Sequence, residues 1–502
     1  MATYTPNLNL KKPSTGEYYD MVADLNDTKD KIDTAVNKTV KNVKNHGAIG
    51  DGLTNDTVAI QALIDASANG DLIYFPSGVY LTDPIIFTGK SINVEGHRAT
   101  LKAISNNAHR LLNYDQVSDI KISGIKFDMN LKGRTALYIS NGRNIIVENC
   151  EFTGYSSAFG HDNQDAGIHV NGCINGTLRN NIFEDWGQIY TAAGPYVRCM
   201  SLAGAVDFIV HGNTFKRINQ GIVSAFGPNL AISNNFFSGV SDNAIYLVDG
   251  CTGATISSNI FKDCQDEGVV IGAENCNITG NLFRNIANKH ISITSSGSHN
   301  LHISGNTFEC TNPLSSEWMI ATRVDITDNC NNVHIANNNF LHAGTPYAII
   351  YIAYTTNLHI IGNTIKMSVS THGINLYGDT NKNFVIENNL IDNTGGVATA
   401  LGIKSESITG AGLIKSNVMF NCRGAKSSAN TLIEGQSIRP TLGYFGTPSN
   451  SMMTSDEVPT VGTFLKGDVA FSTVPAAAGF VGWVCTVAGS PGTWKGFGLI
   501  QA

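Results

Sequence analysis

One short phrase returns four times between Phe208 and Phe283: FIVHGNTF (208–215), LAISNNFF (230–237), ATISSNIF (254–261) and CNITGNLF (276–283). Each copy has an asparagine two residues before its final phenylalanine, and these asparagines lie 22, 24 and 22 residues apart. Repeats of this period are typical of solenoids, in which each turn packs only on its neighbours. The stretch therefore predicts an all-β solenoid.

The repeat continues in both directions along the chain. The position two residues before the terminal aromatic or aliphatic residue can be followed through 12 turns, and ten of the twelve residues are asparagine. They are Ile125, Cys150, Asn181, Asn213, Asn235, Asn259, Asn281, Asn306, Asn338, Asn363, Asn389 and Asn417. Because asparagine accepts unusual backbone angles and its amide can bond to copies above and below, we predict a stacked ladder at a turn.

Short apolar phrases such as GIHV (167–170), AIYLV (244–248) and GINLY (373–377) also recur, once per turn. Alternation within such a strand predicts Ile168 and Val170 inside and His169 outside. Two long early turns contain GYSSAFGHDNQDA (154–166) and EDWGQIYTAAGPYVRC (184–199). Loops on a rigid scaffold often carry binding and catalysis, so these turns are candidate functional regions.

The two ends of the chain differ from the repeat. Residues 1–40 form a separate segment, and spaced apolar residues between Tyr18 and Val36 predict one short amphipathic helix in it. Residues 436–502 have short β-like runs between Gly and Pro turns, with Trp483 and Trp494, and predict a small module for capping, trimerisation or glycan binding. The solenoid itself is expected to span residues 41–435.

A helix is predicted at the start of the solenoid. Asn55 or Asp56 can cap it, and Ile60, Leu63 and Ile64 form its apolar face. The first strands are expected at 72–75 and 78–81, on either side of a Pro-Ser-Gly turn. Such a helix would cover the open end of the solenoid, where strand edges are unpaired.

Composition excludes several classes of protein. Charged residues are only 15% and the net charge is −7, which is unlike the clustered Lys and Arg of a nucleic-acid-binding surface. Ten cysteines without a CxxC pair indicate small buried thiols rather than disulfides or a metal site. No apolar run reaches about 18 residues and no signal peptide is visible, so we expect cytoplasmic synthesis without membrane insertion.

A column of polar residues appears when the turns are aligned on the residue that opens the second strand. Two positions before that residue stand Asp165, Asn219, Asp242, Asp266 and Asn288. The long turn in between is aligned through Ser201, which puts Cys199 in the column and Arg198 beside it. Successive strands lie about 4.8 Å apart, so Asp242 and Asp266 are expected to be neighbours.

These carboxylates are the candidate catalytic groups. Glu267 adds a third acid beside Asp242 and Asp266, and crowding acids raises the pKa of at least one, which creates a proton donor. The strand spacing is close to the carboxyl separation of retaining glycosidases. Asp165 is a further catalytic candidate, and the residues expected to line a sugar-binding groove are His169, Trp186, Tyr196, Arg198 and Tyr246. The alternative is that Asp and Asn are ordinary turn residues.

The phrase GDGLTNDTVAIQALID (50–65), followed by FPSGVY (75–80), resembles the opening of the pectate-lyase-superfamily β-helix domain found in phage tailspikes. The resemblance implies a right-handed parallel β-helix that binds and cleaves a bacterial surface glycan. It also implies a homotrimer in the virion tail, attached to the baseplate or tail through the N-terminal segment. No cofactor is expected for a hydrolase, whereas a lyase could use calcium.

The resemblance is incomplete in the polygalacturonase-like branch. NQDAGI (163–168) resembles the NTD phrase of that branch and Asp266-Glu267 its acidic pair, but no GHG or RIK phrase follows. A galacturonan substrate is therefore not expected. Three functions stay open: a glycoside hydrolase using Asp242, Asp266 and Glu267, a lyase with Arg198 as base, and a fibre that binds glycan without cutting it.

Overall fold

The structure is a computed structural model. It describes residues 3–4, 11–12, 25–31, 40–105, 110–132, 135–155, 165–187, 197–248, 250–294, 298–311, 318–322, 330–344, 347–368, 372–378, 381–393, 401–405, 410–427, 431–434, 437–438, 445–447 and 450–501. The chain divides into two compact units, Met1–Asn219 and Gln220–Ala502. Each unit is described by itself below.

Both units are built as a parallel β-solenoid, and its turns number about 13, which confirms the predicted fold class. A typical turn contributes one strand to a sheet that we call the front sheet. Two further strands of the turn then flank the asparagine position. Each strand pairs in parallel with its equivalents in the turns before and after, so the backbone groups of one turn are satisfied by its neighbours.

In Met1–Asn219 the front sheet has five parallel strands: Ile85–Thr88, Arg110–Asp115, Thr135–Ser140, Ala166–Asn171 and Arg198–Ala203. The other solenoid strands of this unit are Val40–Asn42, Asp51–Asn55, Leu72–Phe75, Gly78–Thr82, Asn93–Ala103, Ser118–Asp128, Arg143–Glu148, Glu151–Thr153, Ile174–Arg179, Ile182–Glu184, Val206–His211 and Thr214–Ile218. The strands predicted at 72–75 and 78–81 are therefore confirmed, the second with one more residue.

In Gln220–Ala502 the front sheet has nine strands: Gln220–Ala225, Ile245–Leu247, Val269–Ile271, Lys289–Ile293, Trp318–Thr322, Ala348–Ala353, His372–Tyr377, Leu401–Ser405 and Arg423–Ser427. The other solenoid strands are Ala231–Ser233, Phe236–Val240, Thr255–Ser257, Ile260–Lys262, Asn277–Thr279, Leu282–Arg284, His299–Ser304, Thr307–Cys310, Cys330–Ala336, Asn339–His342, Thr355–Ile361, Thr364–Met367, Phe384–Glu387, Leu390–Asn393, Gly412–Lys415, Val418–Phe420, Thr431–Glu434 and Ser437–Ile438.

The predicted helix at the start of the solenoid is confirmed as Thr57–Asp65, and its buried residues are Ile60, Leu63 and Ile64. Asp56 is at the N-cap position, but its carboxylate accepts hydrogen bonds from the backbone of Ile49 (2.7 Å) and Gly50 (3.1 Å) instead of capping the helix. Asp56 thereby fixes the preceding Gly-Asp-Gly turn. A 3₁₀-helix, Val43–His46, comes before it.

The N-terminal segment contains a short antiparallel pair, Thr3–Tyr4 with Lys11–Lys12, and a helix over 25–31. That helix lies inside the stretch predicted as helical, while 18–24 and 32–36 lie outside the described residues. No helix within the described ranges is long and apolar enough to cross a membrane.

The asparagine ladder exists, and its side chains are buried. In Met1–Asn219 the Asn181 amide donates to Asn213 Oδ1 at 3.0 Å. In Gln220–Ala502 each ladder asparagine from 235 to 389 donates to the next at 2.9–3.0 Å, as Asn259 does to Asn281. The prediction was wrong about the backbone: the left-handed residue is the one before the ladder position, for example Asn234 (φ 54°) and Ser258 (φ 56°).

The core is filled by residues stacked in register. Two runs of phenylalanine rings stack at 4.5–5.2 Å, one in each unit: Phe127, Phe152, Phe183 and Phe215, then Phe237, Phe261, Phe283, Phe308 and Phe340. All ten cysteines are buried and free, as the reading of small buried thiols predicted. Burial raises the pKa of Cys150 and Cys264 to about 12, so these thiols stay neutral and behave as apolar groups.

The small β module predicted after the solenoid is present as a five-stranded sheet: Phe445–Thr447, Asn450–Ser455, Val469–Ser472, Phe480–Val487 and Thr493–Leu499. Its core contains Phe464, Ala470 and Cys485, and Trp483 and Trp494 pack against it half-buried. Both tryptophans therefore help to hold the module together.

Replacing Asn281 by Ala tests the ladder. The change removes the acceptor of the Asn259 backbone N–H (2.9 Å) and of the Asn259 amide (3.0 Å). Each of these two buried donors left unpaired costs about 1–3 kcal/mol, so we expect the midpoint of chemical denaturation to fall by an amount equivalent to about 2–6 kcal/mol. The control is Asn277→Ala, an exposed asparagine in the preceding strand, which should change stability by no more than about 0.5 kcal/mol. Equal effects of the two changes would contradict a structural ladder.

Candidate active site

Three carboxyl groups come together at one corner of Gln220–Ala502. Asp242 lies just before the front-sheet strand Ile245–Leu247, and Asp266 and Glu267 lie just before the next one, Val269–Ile271. Backbone hydrogen bonds from Ala244 to Glu267 (3.2 Å) and from Ile245 to Gly268 (3.0 Å) fix the register of the two turns. The structure thus places Asp242 beside Asp266.

Asp242 is only 3% exposed. Burial is the main cause that raises its pKa to about 7, and the negative charges of Asp266 and Glu267 raise it further. The Gln220 amide opposes this shift, because it donates a hydrogen bond to Asp242 Oδ2 at 2.9 Å. Asp242 is therefore a carboxyl group that still holds a proton near neutral pH.

Glu267 is also buried, and three neighbours hold it. The Asn243 amide donates to Oε2 at 2.7 Å, and Lys289 Nζ lies 3.5 Å from Oε1. The third neighbour is the adjacent Asp266 carboxyl group. Burial, the charge of Asp266 and hydrogen bonding between the two carboxyl groups raise the pKa of Glu267, while Lys289 lowers it. Glu267 therefore holds a proton more readily than an ordinary glutamate.

Asp266 is the most accessible of the three acids. It is half-buried, and its Oδ1 accepts a hydrogen bond from the Asn288 amide at 2.7 Å. Tyr246, a predicted groove residue, is half-buried at the outward position of the strand that follows Asp242, in register with Val223 and Val270. The cluster therefore combines a protonated acid with an accessible carboxylate.

Sequence reasoning did not find Gln220, Asn243 and Lys289, although each contacts one of the acids. Each stands one residue before the opening position of a front-sheet strand, in the column that also contains Glu267. The polar character of that column was a usable signal. A comparison of carboxylates alone does not show this column, because Glu267 is its only acid among these four turns.

The other described site candidates lie in Met1–Asn219. Asp165 is buried and accepts a hydrogen bond from the Tyr155 hydroxyl at 3.1 Å. His169 has its predicted outward position on the strand, but it is buried, with its ring 5.0 Å from that of Tyr138. Tyr196 lies outside the described residues.

Trp186 was predicted to line a sugar-binding groove, and this was wrong. Its side chain is fully buried, its ring packs 5.4 Å from Tyr155, and its indole N–H donates to the Arg198 carbonyl at 3.0 Å. The cause is local: Asp185 has a left-handed backbone (φ 55°) and turns the next side chain into the core. Cys264 is buried after Asp263 (φ 53°) in the same way.

The predicted alignment of the long turn was wrong by two residues. Arg198 pairs with Ala166 and His169 pairs with Ser201, so Cys199 lies opposite Gly167 and not in the acidic column. Because this turn is long, the register of the strand that begins at Arg198 could not be predicted from the sequence. Arg198 is half-buried, and its backbone N–H donates to the Asp165 carbonyl at 3.3 Å.

Calcium prefers several ionised oxygen ligands, and the Lys289 cation beside Glu267 is unfavourable for a second cation there. Within the described ranges, no group of three or more His, Cys, Asp or Glu residues could hold a metal ion. The arrangement is instead suited to proton transfer and to stabilisation of positive charge.

The raised pKa of Asp242 predicts how stability depends on pH. Between the ordinary value of 3.8 and about 7 the folded protein holds a proton that the unfolded chain has lost, so stability falls as pH rises through this range. Asp242→Asn removes this penalty. We expect the variant to have a higher melting temperature than the wild type at pH 8 and a much smaller difference at pH 4, measured by calorimetry. A stability difference that does not change with pH would contradict the assignment.

Residues 40–270 of the chain match the family described as rhamnogalacturonase A/epimerase, pectate lyase-like.

Several characterised proteins are similar to shorter parts of the chain. Plasmin and fibronectin-binding protein A of Streptococcus pneumoniae is 29% identical over 182 residues, which is 30% of this chain and 24% of that protein. A probable glucan endo-1,3-beta-glucosidase of Arthroderma benhamiae is 42% identical over 69 residues, 13% of this chain and 8% of that protein. Alginate lyase 7 of Azotobacter vinelandii is 61% identical over 41 residues, 8% and 5% of the two chains. The chain spans about a quarter or less of the length of these relatives.

Solved structures resemble the chain at low sequence identity. A tailspike protein of an E. coli bacteriophage, in complex with a pentasaccharide, has a TM-score of 0.49 at 12% identity and covers 80% of this chain and 81% of that one. A surface adhesin of Streptococcus pneumoniae has a TM-score of 0.43 at 16% identity and covers 92% of this chain and 99% of that one.

Proposed function

We propose that the protein hydrolyses glycosidic bonds of a polysaccharide, with Asp242 as the proton donor. The observation that carries this proposal is the environment of Asp242, a buried carboxyl group with a pKa of about 7 beside a second, more accessible carboxylate. Glycosidases need such a pair, in which one acid stays protonated at working pH and the other is ionised.

Asp266 is the partner carboxylate in this proposal. Asp242 and Asp266 lie on adjacent turns, and adjacent strands are spaced by about 4.8 Å. This backbone spacing is compatible with the separation of about 5–5.5 Å between the carboxyl groups of retaining enzymes. Glu267 acts as a positioning residue next to Asp266, and Asn243 and Lys289 fix its carboxyl group. Asp266 is the more accessible of the two acids, and the Asn288 amide holds one of its oxygens.

The reaction proceeds in two steps. Asp242 donates its proton to the glycosidic oxygen as that bond breaks, and an Asp266 oxygen bonds to the anomeric carbon. In the second step a water molecule attacks the same carbon, its proton passes to the Asp242 carboxylate, and the bond to Asp266 breaks. Both acids return to their first state, and one glycosidic bond has been exchanged for one water molecule.

We also propose that the protein acts as a phage tailspike on a bacterial surface glycan, as a homotrimer attached to the tail through residues 1–40. The resemblance of residues 50–80 to the opening of the β-helix domain of phage tailspikes motivates this proposal. In the C-terminal module, Val461, Val474 and Leu499 are each more than 60% exposed, and burying them against further copies would favour self-association. Sedimentation of the full chain tests it, and a monomer at micromolar concentration would contradict it.

The double replacement Asp242→Asn and Asp266→Asn tests the site. We expect cleavage of host surface polysaccharide to fall by at least about 10³-fold, because both the proton donor and the nucleophile are lost. The fold should be kept, since both side chains lie at a turn and retain hydrogen-bonding groups. The matched control is Asp263→Asn, an exposed acid on the same turn as Asp266 whose left-handed backbone (φ 53°) suits asparagine. Cleavage that persists in the double variant would refute the assignment.

The products separate the three candidate functions. New reducing ends without ultraviolet absorbance of an unsaturated uronate indicate hydrolysis, and reducing ends with that absorbance indicate a lyase. Binding of the polysaccharide without either product indicates a receptor-binding fibre. The last two outcomes would each contradict the hydrolase proposal.

The pH dependence of cleavage provides an independent test. The proton donor is lost as Asp242 ionises, so kcat/KM should decline above about pH 7. The Gln220 hydrogen bond lowers the pKa of Asp242, so Gln220→Leu should move this decline to higher pH while the acidic side of the profile stays in place. A decline that does not move in Gln220→Leu would argue against Asp242 as the donor.

A further inference from the structure

Four aromatic rings gather on the outward face of the front sheet, on the turns that follow the carboxyl cluster. Tyr351 is at the centre, with its ring 5.3 Å from Trp318, 5.9 Å from Tyr377 and 6.2 Å from Tyr347. Tyr351 itself is buried, whereas Tyr347 and Tyr377 are 43% and 50% exposed. Tyr351 belongs to a small buried cluster with three alanines, and Trp318 packs against that cluster, whereas Tyr347 and Tyr377 are not part of it. We call the four rings the aromatic strip.

Two buried polar groups next to the aromatic strip lack partners. Asn375 is the register neighbour of Tyr351, is 1% exposed, and neither atom of its amide has a hydrogen-bond partner among the residues that the structure describes. The hydroxyl of Ser292 also has no hydrogen-bond partner among the described residues. Ser292 is in backbone register with Ala321, which is the register neighbour of Tyr351 on the other side. A buried polar group without a partner is costly, so a ligand that pairs it gains affinity.

The unpaired atoms restrict the chemistry of that ligand. The Asn375 amide needs an acceptor for its N–H groups and a donor for its oxygen. A hydroxyl group can serve as both, and several hydroxyls on an otherwise apolar ring would also match the aromatic faces beside it. Pockets that combine aromatic walls with a few polar groups are typical of ligand sites, and this combination fits a sugar ring.

The aromatic strip is continuous with the carboxyl cluster through one side chain. Lys289 Nζ is 3.5 Å from Glu267 Oε1 and 5.7 Å from the centre of the Trp318 ring, and Lys289 and Trp318 are register neighbours. Three strand steps, about 14 Å, separate the strand of Lys289 from that of Tyr377. Lys289 is level with His372, and Tyr377 lies five residues, roughly 16 Å, further along that strand. A ligand in contact with the acids could therefore reach the strip without leaving this face.

We propose that the aromatic strip and Asn375 form a glycan-binding subsite that holds successive sugar units of the chain whose bond lies at Asp242 and Asp266. The subsite rests on the proposed function for its substrate class, but it predicts binding and not cleavage. It binds the sugar rings against Tyr347 and Tyr377, and their hydroxyls pair with the Asn375 amide.

The test measures binding in the inactive Asp242→Asn, Asp266→Asn protein, so that no glycan is consumed. The probes are hexasaccharides of mannuronan, β-1,3-glucan and rhamnogalacturonan, together with an array of bacterial capsular and O-antigen polysaccharides. We expect at least one probe to bind and to change the tryptophan fluorescence through Trp318. Adding Tyr377→Ala or Tyr347→Ala should weaken binding by at least about 10-fold, and Asn375→Ala should weaken it as well.

Two controls isolate the aromatic faces. Tyr377→Phe keeps the ring and should keep the affinity within about 2-fold. Leu341→Ala removes a comparably exposed apolar side chain (42% exposed) from another strand of the adjoining turn and should change nothing. Thermal melting of each variant shows that the fold is intact.

The outcomes separate the subsite from the proposed reaction. Affinity that depends on the tyrosines supports the subsite even where the unmodified protein cleaves nothing, in which case the hydrolase proposal fails alone. Affinity that is unchanged in Tyr347→Ala and Tyr377→Ala overturns the subsite even where cleavage is observed. Absence of binding to every probe also overturns the subsite. The Asn375 amide would then be paired by water alone.

Discussion

The structure depends on one constraint, which is that each buried amide of the asparagine ladder must find its partners in the turns on either side. Asn259 donates to Asn281 Oδ1 at 3.0 Å and to the carbonyl of Ile232 at 2.9 Å, and its own oxygen accepts from Asn235. A shift by a single residue would leave all of these groups unpaired in the interior, where each costs on the order of 1–3 kcal/mol. The ladder therefore fixes the register of every turn that it joins, and the side chains above and below stack as a consequence.

The fixed register also brings acidic side chains close together at another corner of the same turns. Asp242 and Asp266 are brought to neighbouring positions, where two ionised carboxylates would repel each other in a partly dry environment. Three features limit this repulsion: the raised pKa of Asp242, the raised pKa of Glu267 and the cation of Lys289. A cluster held in this state reduces stability near neutral pH, which is a common property of sites kept for function.

The repeat was predictable from sequence because its signals are local and recur in every turn. The ladder position, the helix Thr57–Asp65 and the neighbouring acids all follow from counting residues between equivalent positions. Three features could not be obtained in this way. The direction of Trp186 depends on the left-handed backbone of Asp185, the register of Arg198 depends on the number of residues before it in a long turn, and the left-handed residue precedes the ladder asparagine. Cys264 could have signalled the burial of Trp186, since both lie three residues after a repeat-ending phenylalanine.

The aromatic strip could not be predicted from the sequence pattern, even where that pattern predicts the strands. Ser292, Ala321, Tyr351 and Asn375 occupy one outward column of the front sheet, and their backbones make the same parallel pairings whatever the side chain. Inward positions are restricted by the stacked core, so their apolar character repeats and is easily read. Outward positions carry no such restriction. Which outward side chains lie next to each other is known only once the register of adjacent turns is known. In a solenoid of this kind the surface can therefore change its ligand one turn at a time, because the hydrogen bonds that hold the turn do not pass through the side chains that face the ligand.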